Sequence, residues 1–109
     1  MPDVMAERRS APRRQLVLAA EVVEVSRGAR LNARTSDVSR TGCYIDTLNP
    51  VPKGSQIRLR ITHYEEVFET VARVVYVSPG LGMGVAFENV APEQQAKLAR
   101  WLGDKDKEF

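Results

Sequence analysis

One cysteine and one histidine are all that this chain of 109 residues offers to a soft metal or to imidazole-based catalysis. A single thiol excludes an internal disulfide, and Cys43 reads as a buried structural residue because nothing in the sequence brings it to His63. With no second imidazole beside His63, which lies in the polar run His63-Tyr64-Glu65-Glu66, a metal site is not expected. Apolar runs fall far short of the roughly eighteen residues that span a bilayer, so no membrane insertion is expected. The opening six residues are too short, and too soon followed by charge, for a signal peptide, which makes the cytoplasm the expected location. No glycine-rich phosphate loop opens a helix and no nucleophile stands with a base, so the chain does not read as an enzyme.

Charge is present in both signs, with sixteen basic against fourteen acidic residues. Its distribution is uneven. Four arginines, Arg8, Arg9, Arg13 and Arg14, crowd the start, whereas the last residues alternate lysine with acid. Twelve of the sixteen basic residues are arginine, a bias suited to planar recognition of phosphates and purines, although GC-rich codon usage yields the same bias. At this length a single domain is expected, divided into an arginine-bearing N-terminal arm over residues 1–13, a folded body over residues 14–103 and a charged tail over residues 104–109.

Within the body, short β-rich segments alternate with turn signals. Residues 15–25 and 29–38 read as a hairpin around Ser26-Arg27-Gly28, and residues 42–47 as a short third strand. In residues 56–62, Ile57, Leu59 and Ile61 alternate with Arg58, Arg60 and Thr62, the pattern of a half-buried antiparallel strand. Valine-rich residues 67–78 and residues 83–88, separated by Ser78-Pro79-Gly80-Leu81-Gly82, complete six strands, with Gly84 expected to relieve a bend. So many strands in so short a chain must close or cover their edges, which favours a small barrel. Pro92, Glu93, Leu98, Trp101 and Leu102 then specify a short amphipathic helix stopped at Gly103, whose place is to plug or flank the barrel with Trp101 as anchor.

Two polar motifs flank this body. Arg9-Ser10-Ala11-Pro12-Arg13 has the form RxxxR, and Asp37-Val38-Ser39-Arg40-Thr41-Gly42 the form DxSxxG. With Gly82-Met83-Gly84-Val85-Ala86-Phe87 they resemble, in order and separation, the PilZ domains, bacterial receptors for the second messenger cyclic di-GMP. The resemblance covers the chain from Glu7 to the terminal helix. It implies an all-β fold, a six-stranded antiparallel barrel with a short C-terminal α-helix and a flexible N-terminal arginine-rich arm that wraps the nucleotide.

By that resemblance Arg9 and Arg13 contact phosphate and guanine, Asp37 and Ser39 hydrogen-bond the guanine, and Gly42 keeps the backbone close to the ligand. Arg8, directly before RxxxR, implies two intercalated cyclic di-GMP molecules in place of one. Arg14, Arg40 and Tyr76 are possible ligand neighbours, each with an ordinary structural alternative: a polar strand face, a solvated turn and barrel packing. Tyr44, Phe68 and Phe87 read as core or face-covering residues. No cofactor and no DNA are expected. Arginine contacts of about 1–3 kcal/mol each, set against roughly 1–2 kcal/mol for ordering each arm residue, suggest micromolar affinity and an arm that orders on binding to signal to an unidentified downstream protein. The competing readings are a PilZ-like protein-interaction scaffold without nucleotide, and a small barrel that binds single-stranded nucleic acid, for which the six phenylalanines and tyrosines give a poor stacking platform.

Overall fold

The computed structural model describes residues 13–103. Its strands are β1 (Arg14–Gln15), β2 (Ala19–Glu24), β3 (Arg30–Val38), β4 (Gly42–Asp46), β5 (Gln56–His63), β6 (Glu66–Ser78) and β7 (Gly82–Glu88), followed by α1 (Pro92–Trp101). All pairings are antiparallel, and β3, β2, β5, β6, β7 and β4 form a ring closed by the β3–β4 pair. The expected six-stranded barrel with a short C-terminal helix is therefore present. Closure leaves no open sheet edge on the ring, the condition that the number of short strands imposed.

Alternation decides what lies inside. Ile57, Leu59 and Ile61 of β5 point inward with Val22, Ile45, Phe68, Ala72, Val74 and Met83, and Leu98 and Leu102 of the helix region join the same core. Burying a side chain of this size contributes about 1.5–3 kcal/mol. Cys43 is buried among them, and burial pushes its thiol pKa up, so it is an inert packing residue.

The expected first strand over residues 15–25 is corrected to two pieces. β1 and β2 both pair with β3, but residues 16–18 leave the ladder, and the Thr35 hydroxyl fills the gap. It accepts a hydrogen bond from the Leu18 N–H (3.1 Å) and donates one to the Leu16 carbonyl (2.6 Å). Thr35 is wholly buried, so the hydroxyl replaces the missing strand partner for backbone groups that would otherwise go unpaired.

The helix covers a second gap. β6 pairs with β7 only from Val71 onward, leaving its first residues with one free side. Gln94 accepts the Glu69 N–H through Oε1 (3.0 Å) and Lys97 donates to the Val67 carbonyl through Nζ (2.6 Å), so α1 side chains finish the ladder. Glu66 holds the far end, accepting from Trp101 Nε1 (2.8 Å) and from Arg100. The Trp101 hydrogen bond and the Arg100 guanidinium hold the Glu66 carboxyl below the ordinary carboxylate range. His63 stacks on Trp101 (centroids 5.1 Å apart), so the polar run at residues 63–66 is a helix dock as well as a turn.

Two outcomes are expected. Thr35→Val, which leaves the Leu16 and Leu18 backbone groups unpaired, lowers unfolding free energy by about 1–3 kcal/mol in urea titration. A carboxylate with a depressed folded-state pKa stabilises above the unfolded value, and that contribution is lost as pH falls through the folded one. The thermal midpoint should therefore decline more steeply below about pH 4.5 in the native protein than in Glu66→Gln.

Candidate functional site

The turn that joins β3 to β4 fixes the site. Ser39 N–H donates to the Gly42 carbonyl (2.8 Å), closing a tight connection that sets Val38 opposite Cys43 and Asp37 opposite Tyr44. Across the next ladders Tyr44 faces Gly84, and Gly84 faces Tyr76. On the other flank Gln15 of β1 faces Asp37. Directly paired residues share a sheet face, so Gln15, Asp37, Tyr44, Gly84 and Tyr76 form one row over the barrel's outer surface.

Two β-bulges turn that row outward. The β3–β4 register shifts between Thr35 and Asp37, and the β6–β7 register between Val74 and Tyr76. Thr35 and Val74 face the core. Strict alternation would place Asp37 and Tyr76, each two residues later, inside as well; the extra residue in each strand puts them out. Val75, the residue added to β6, is 44% exposed.

Glycine supplies the floor. A Cβ on Gly84 would collide with the Tyr76 ring at Cε2, and one on Gly82 would meet the Tyr44 ring and the Ile45 carbonyl. The two tyrosines thus lie flat over β7, 6.1 Å apart and tilted by 33°. The expected bend at Gly84 is replaced by this close approach of an aromatic ring. Tyr76 remains 41% exposed, so its face is available at the surface. Gly42 has a different constraint from the one expected, since its Cβ would strike the Val85 carbonyl of β7, a contact within the barrel.

Asp37 sits between Gln15 and Tyr44 in the row, with unequal oxygens. Oδ2 accepts from Arg13 Nη1 at 3.4 Å, a long, exposed contact worth little by itself. Oδ1 is buried and has no hydrogen-bond partner among the described residues. An unmatched buried acceptor costs about 1–3 kcal/mol, and nothing among the described residues offsets that cost at Oδ1.

Ser39 is arranged otherwise. Its Oγ accepts the Thr41 and Gly42 N–H groups (3.2 Å each) and donates to the Gly42 carbonyl (3.2 Å). One donor and two lone pairs are then all in use, and the residue is buried, so the hydroxyl holds the turn. Arg14 is exposed on β1 beside Val38. Arg40 is exposed on the turn, at the rim of a separate groove against α1. Arg8 and Arg9 lie outside the described residues. The structure thus joins Arg13 to Asp37, sets Tyr76 on the same row beyond Tyr44 and Gly84, keeps Ser39 and Gly42 in the adjoining turn, and adds Tyr44, which sequence reading assigned to packing. The signal for Tyr44 was available: a tight turn at 39–42 pairs residue 37 with residue 44.

A larger cavity of about 610 Å³ lies elsewhere, over β2, β5 and β6, where Glu21 pairs with Arg30 and Arg60. It has no aromatic lining. Among the described residues no cluster of His, Cys, Asp and Glu has the arrangement of a metal site, and no helix is long and apolar enough to cross a membrane.

The fold and this face define a class, a small closed β-barrel carrying an acidic turn and an aromatic row on one outer surface. The chain belongs to the PilZ domain family, whose profile matches residues 7–104. Solved structures agree in fold. The Bacillus subtilis inhibitor of motility MotI/DgrA superposes with a TM-score of 0.76 at 18% identity, covering 93% of this chain and 52% of that one. Escherichia coli YcgR in complex with c-di-GMP gives 0.75 at 18% identity over 93% and 47%, and the PilZ domain of YcgR with c-di-GMP gives 0.73 at 18% over 93% of each chain. The chain therefore spans about half the length of MotI/DgrA and of the longer YcgR chain. No curated protein sequence is a significant match.

The close approach of ring and backbone yields a direct test. Gly84→Ala should lower unfolding free energy by about 1–3 kcal/mol, and adding Tyr76→Ala in the same chain should recover most of that loss.

Proposed function

We propose that this chain is a cyclic di-GMP receptor that closes its arginine-bearing N-terminal arm over the Asp37 to Tyr76 row and passes the signal to a partner protein. The observation that carries the reading is the buried Oδ1 of Asp37, without a hydrogen-bond partner among the described residues, on the same row as the Tyr44 and Tyr76 rings. Guanine offers two adjacent donors, N1–H and N2–H, and a carboxylate with one unmatched and one loosely held oxygen is their complement. Membership of the PilZ family and the nucleotide in the two YcgR structures support the choice of ligand.

In this reading Arg13 gives up its long contact with Asp37 Oδ2 to grip phosphate or a guanine edge, which frees that oxygen for the base. Arg8 and Arg9 supply the remaining guanidinium contacts, Arg8 serving a second intercalated molecule. Tyr76 offers a face for stacking, with Tyr44 beside it and Gly84 beneath it. Ser39 and Gly42 act through the turn, keeping Asp37 in register, in place of the direct ligand contacts that the family resemblance implies. Arg14 stands beside this arm and Arg40 beyond the turn, as secondary contributors.

Isothermal calorimetry with cyclic di-GMP, with GTP and a short single-stranded RNA as controls, tests the reading. Micromolar binding near two molecules per chain is expected for the cyclic dinucleotide alone. Asp37→Ala, Arg9→Ala and Arg13→Ala should each weaken it at least tenfold, Tyr76→Leu by about 5- to 100-fold as expected for one lost stacking contact, and Arg58→Ala little. Equal losses at Arg58 and Arg9 would indicate nonspecific charge attraction instead. Arg8→Ala should bring the stoichiometry down towards one.

A further inference from the structure

The ring strands that carry the tyrosine row hold few basic residues. β4 and β7 have none, and β3 and β6 have Arg30, Arg34 and Arg73. Arg30 is held by Glu21 (2.7 Å), and Arg73 by Glu88 (2.8 Å) and the Gly54 carbonyl (3.1 Å). Arg34 is exposed and makes no hydrogen bond or ion pair with any described residue, not even with Asp46 directly across the β3–β4 ladder.

Its place on β3 brings it to the site. Thr35 is buried and pairs with buried Ile45, so Arg34 and Asp46 face outward, as Asp37 and Tyr44 do beyond the bulge. Tyr44 and Asp46 are two residues apart on β4, which sets the Arg34 row about 7 Å from the Asp37 row. The Tyr44 ring leans across that gap over Gly82, the residue opposite Asp46, where a Cβ would lie 2.8 Å from its Cε2 and 2.9 Å from its hydroxyl. The surface at the site is thus two rows deep, with Asp37 and Arg34 neighbours along one strand. On the other side of Arg34 stands Ala19 of β2, too short to engage the guanidinium.

The order of groups around guanine matches that pair. N2–H and N1–H are adjacent donors, O6 follows them on the same edge as an acceptor, and N7 lies next to O6 as a second acceptor. A carboxylate followed by a planar guanidinium complements that sequence, because arginine grips O6 and N7 with two parallel donors. Adenine reverses the pattern, with an acceptor at N1 and a donor amine at C6, and so meets both side chains with like groups.

We propose that Arg34 is a guanine-selecting residue of the barrel wall, gripping O6 and N7 of the base whose N1–H and N2–H are held by Asp37. The inference rests on the receptor reading above and adds to it a contact that lies outside both polar motifs. Because β3 already places Arg34, this contact avoids the backbone ordering cost that accompanies closure of an arm. Arg13 is then left for phosphate or for a second guanine.

Calorimetry on the full chain tests the contact with cyclic di-GMP and with its 7-deaza analogue, in which C–H replaces the N7 acceptor. Arg34→Ala should weaken cyclic di-GMP about 5- to 150-fold, the range for one bidentate arginine–guanine contact, and Arg34→Gln similarly should the alanine variant fold poorly. Arg34→Lys should recover only a minor part of that loss, since an ammonium has the charge without the fork. The affinity penalty for the 7-deaza analogue should shrink at least about threefold when Arg34 is removed. Asp46→Asn should not reproduce the Arg34→Ala loss; if it does, Arg34 acts by holding Asp46 and the direct contact is overturned. Undiminished binding by Arg34→Ala, full recovery by Arg34→Lys, or an equal 7-deaza penalty with and without Arg34 would overturn this role and leave the receptor reading intact. A native chain that fails to bind cyclic di-GMP would overturn both.

Discussion

Strand register is the constraint on which everything else in this barrel depends. A shift of one residue reverses which side chains face the core, and two bulges use that sensitivity to turn Asp37 and Tyr76 outward while Thr35 and Val74 stay buried. The tight turn at Ser39 to Gly42 then locks the count between β3 and β4. Remove the lock and the row from Asp37 to Tyr76 has no reason to be straight. The most buried polar groups in this region, Ser39 and Thr35, accordingly serve backbone geometry more than ligand chemistry.

The rest of the barrel repairs what that arrangement interrupts. Where β1 and β2 part, a threonine hydroxyl stands in for a missing strand partner. Where β7 stops short along β6, glutamine and lysine from α1 complete the ladder. The helix is therefore both a source of core residues, through Leu98, and a substitute strand edge. Its far end is tied by Glu66, whose carboxylate answers the Trp101 indole and Arg100 together. One side of the helix thus lies on the sheet, and another lines the groove beside Arg40.

Much of this was legible from residue patterns. Period-two alternation in residues 56–62 fixed the inward set of β5, and Pro92 with Glu93 and Gly103 marked the helix closely. The motif at residues 37–42 located the turn and its acid. What escaped was whatever depends on pairing between distant strands. The break at residues 16–18 is invisible because Leu16, Val17 and Leu18 are good strand formers, and only Thr35 in the neighbouring strand reveals it. Tyr44 looked like a packing residue, and Tyr76 like either a ligand neighbour or barrel packing, because their shared surface exists only once β4, β7 and β6 lie side by side. Glycine carries too little information alone to tell a bend at Gly84 from a seat for a ring.

That seat separates wall from lining. Gly82 and Gly84 give β7 a bare outer surface, so the side chains presented there come from its neighbours, β4 and β6. The strand that carries the site thus contributes shape without contributing chemistry at those two positions. Substitutions at residues 44 and 76 can re-tile the surface, changing its size and polarity, while β7 continues to close the barrel underneath. Architecture and preference are written on different strands, which leaves one free to drift while the other is held.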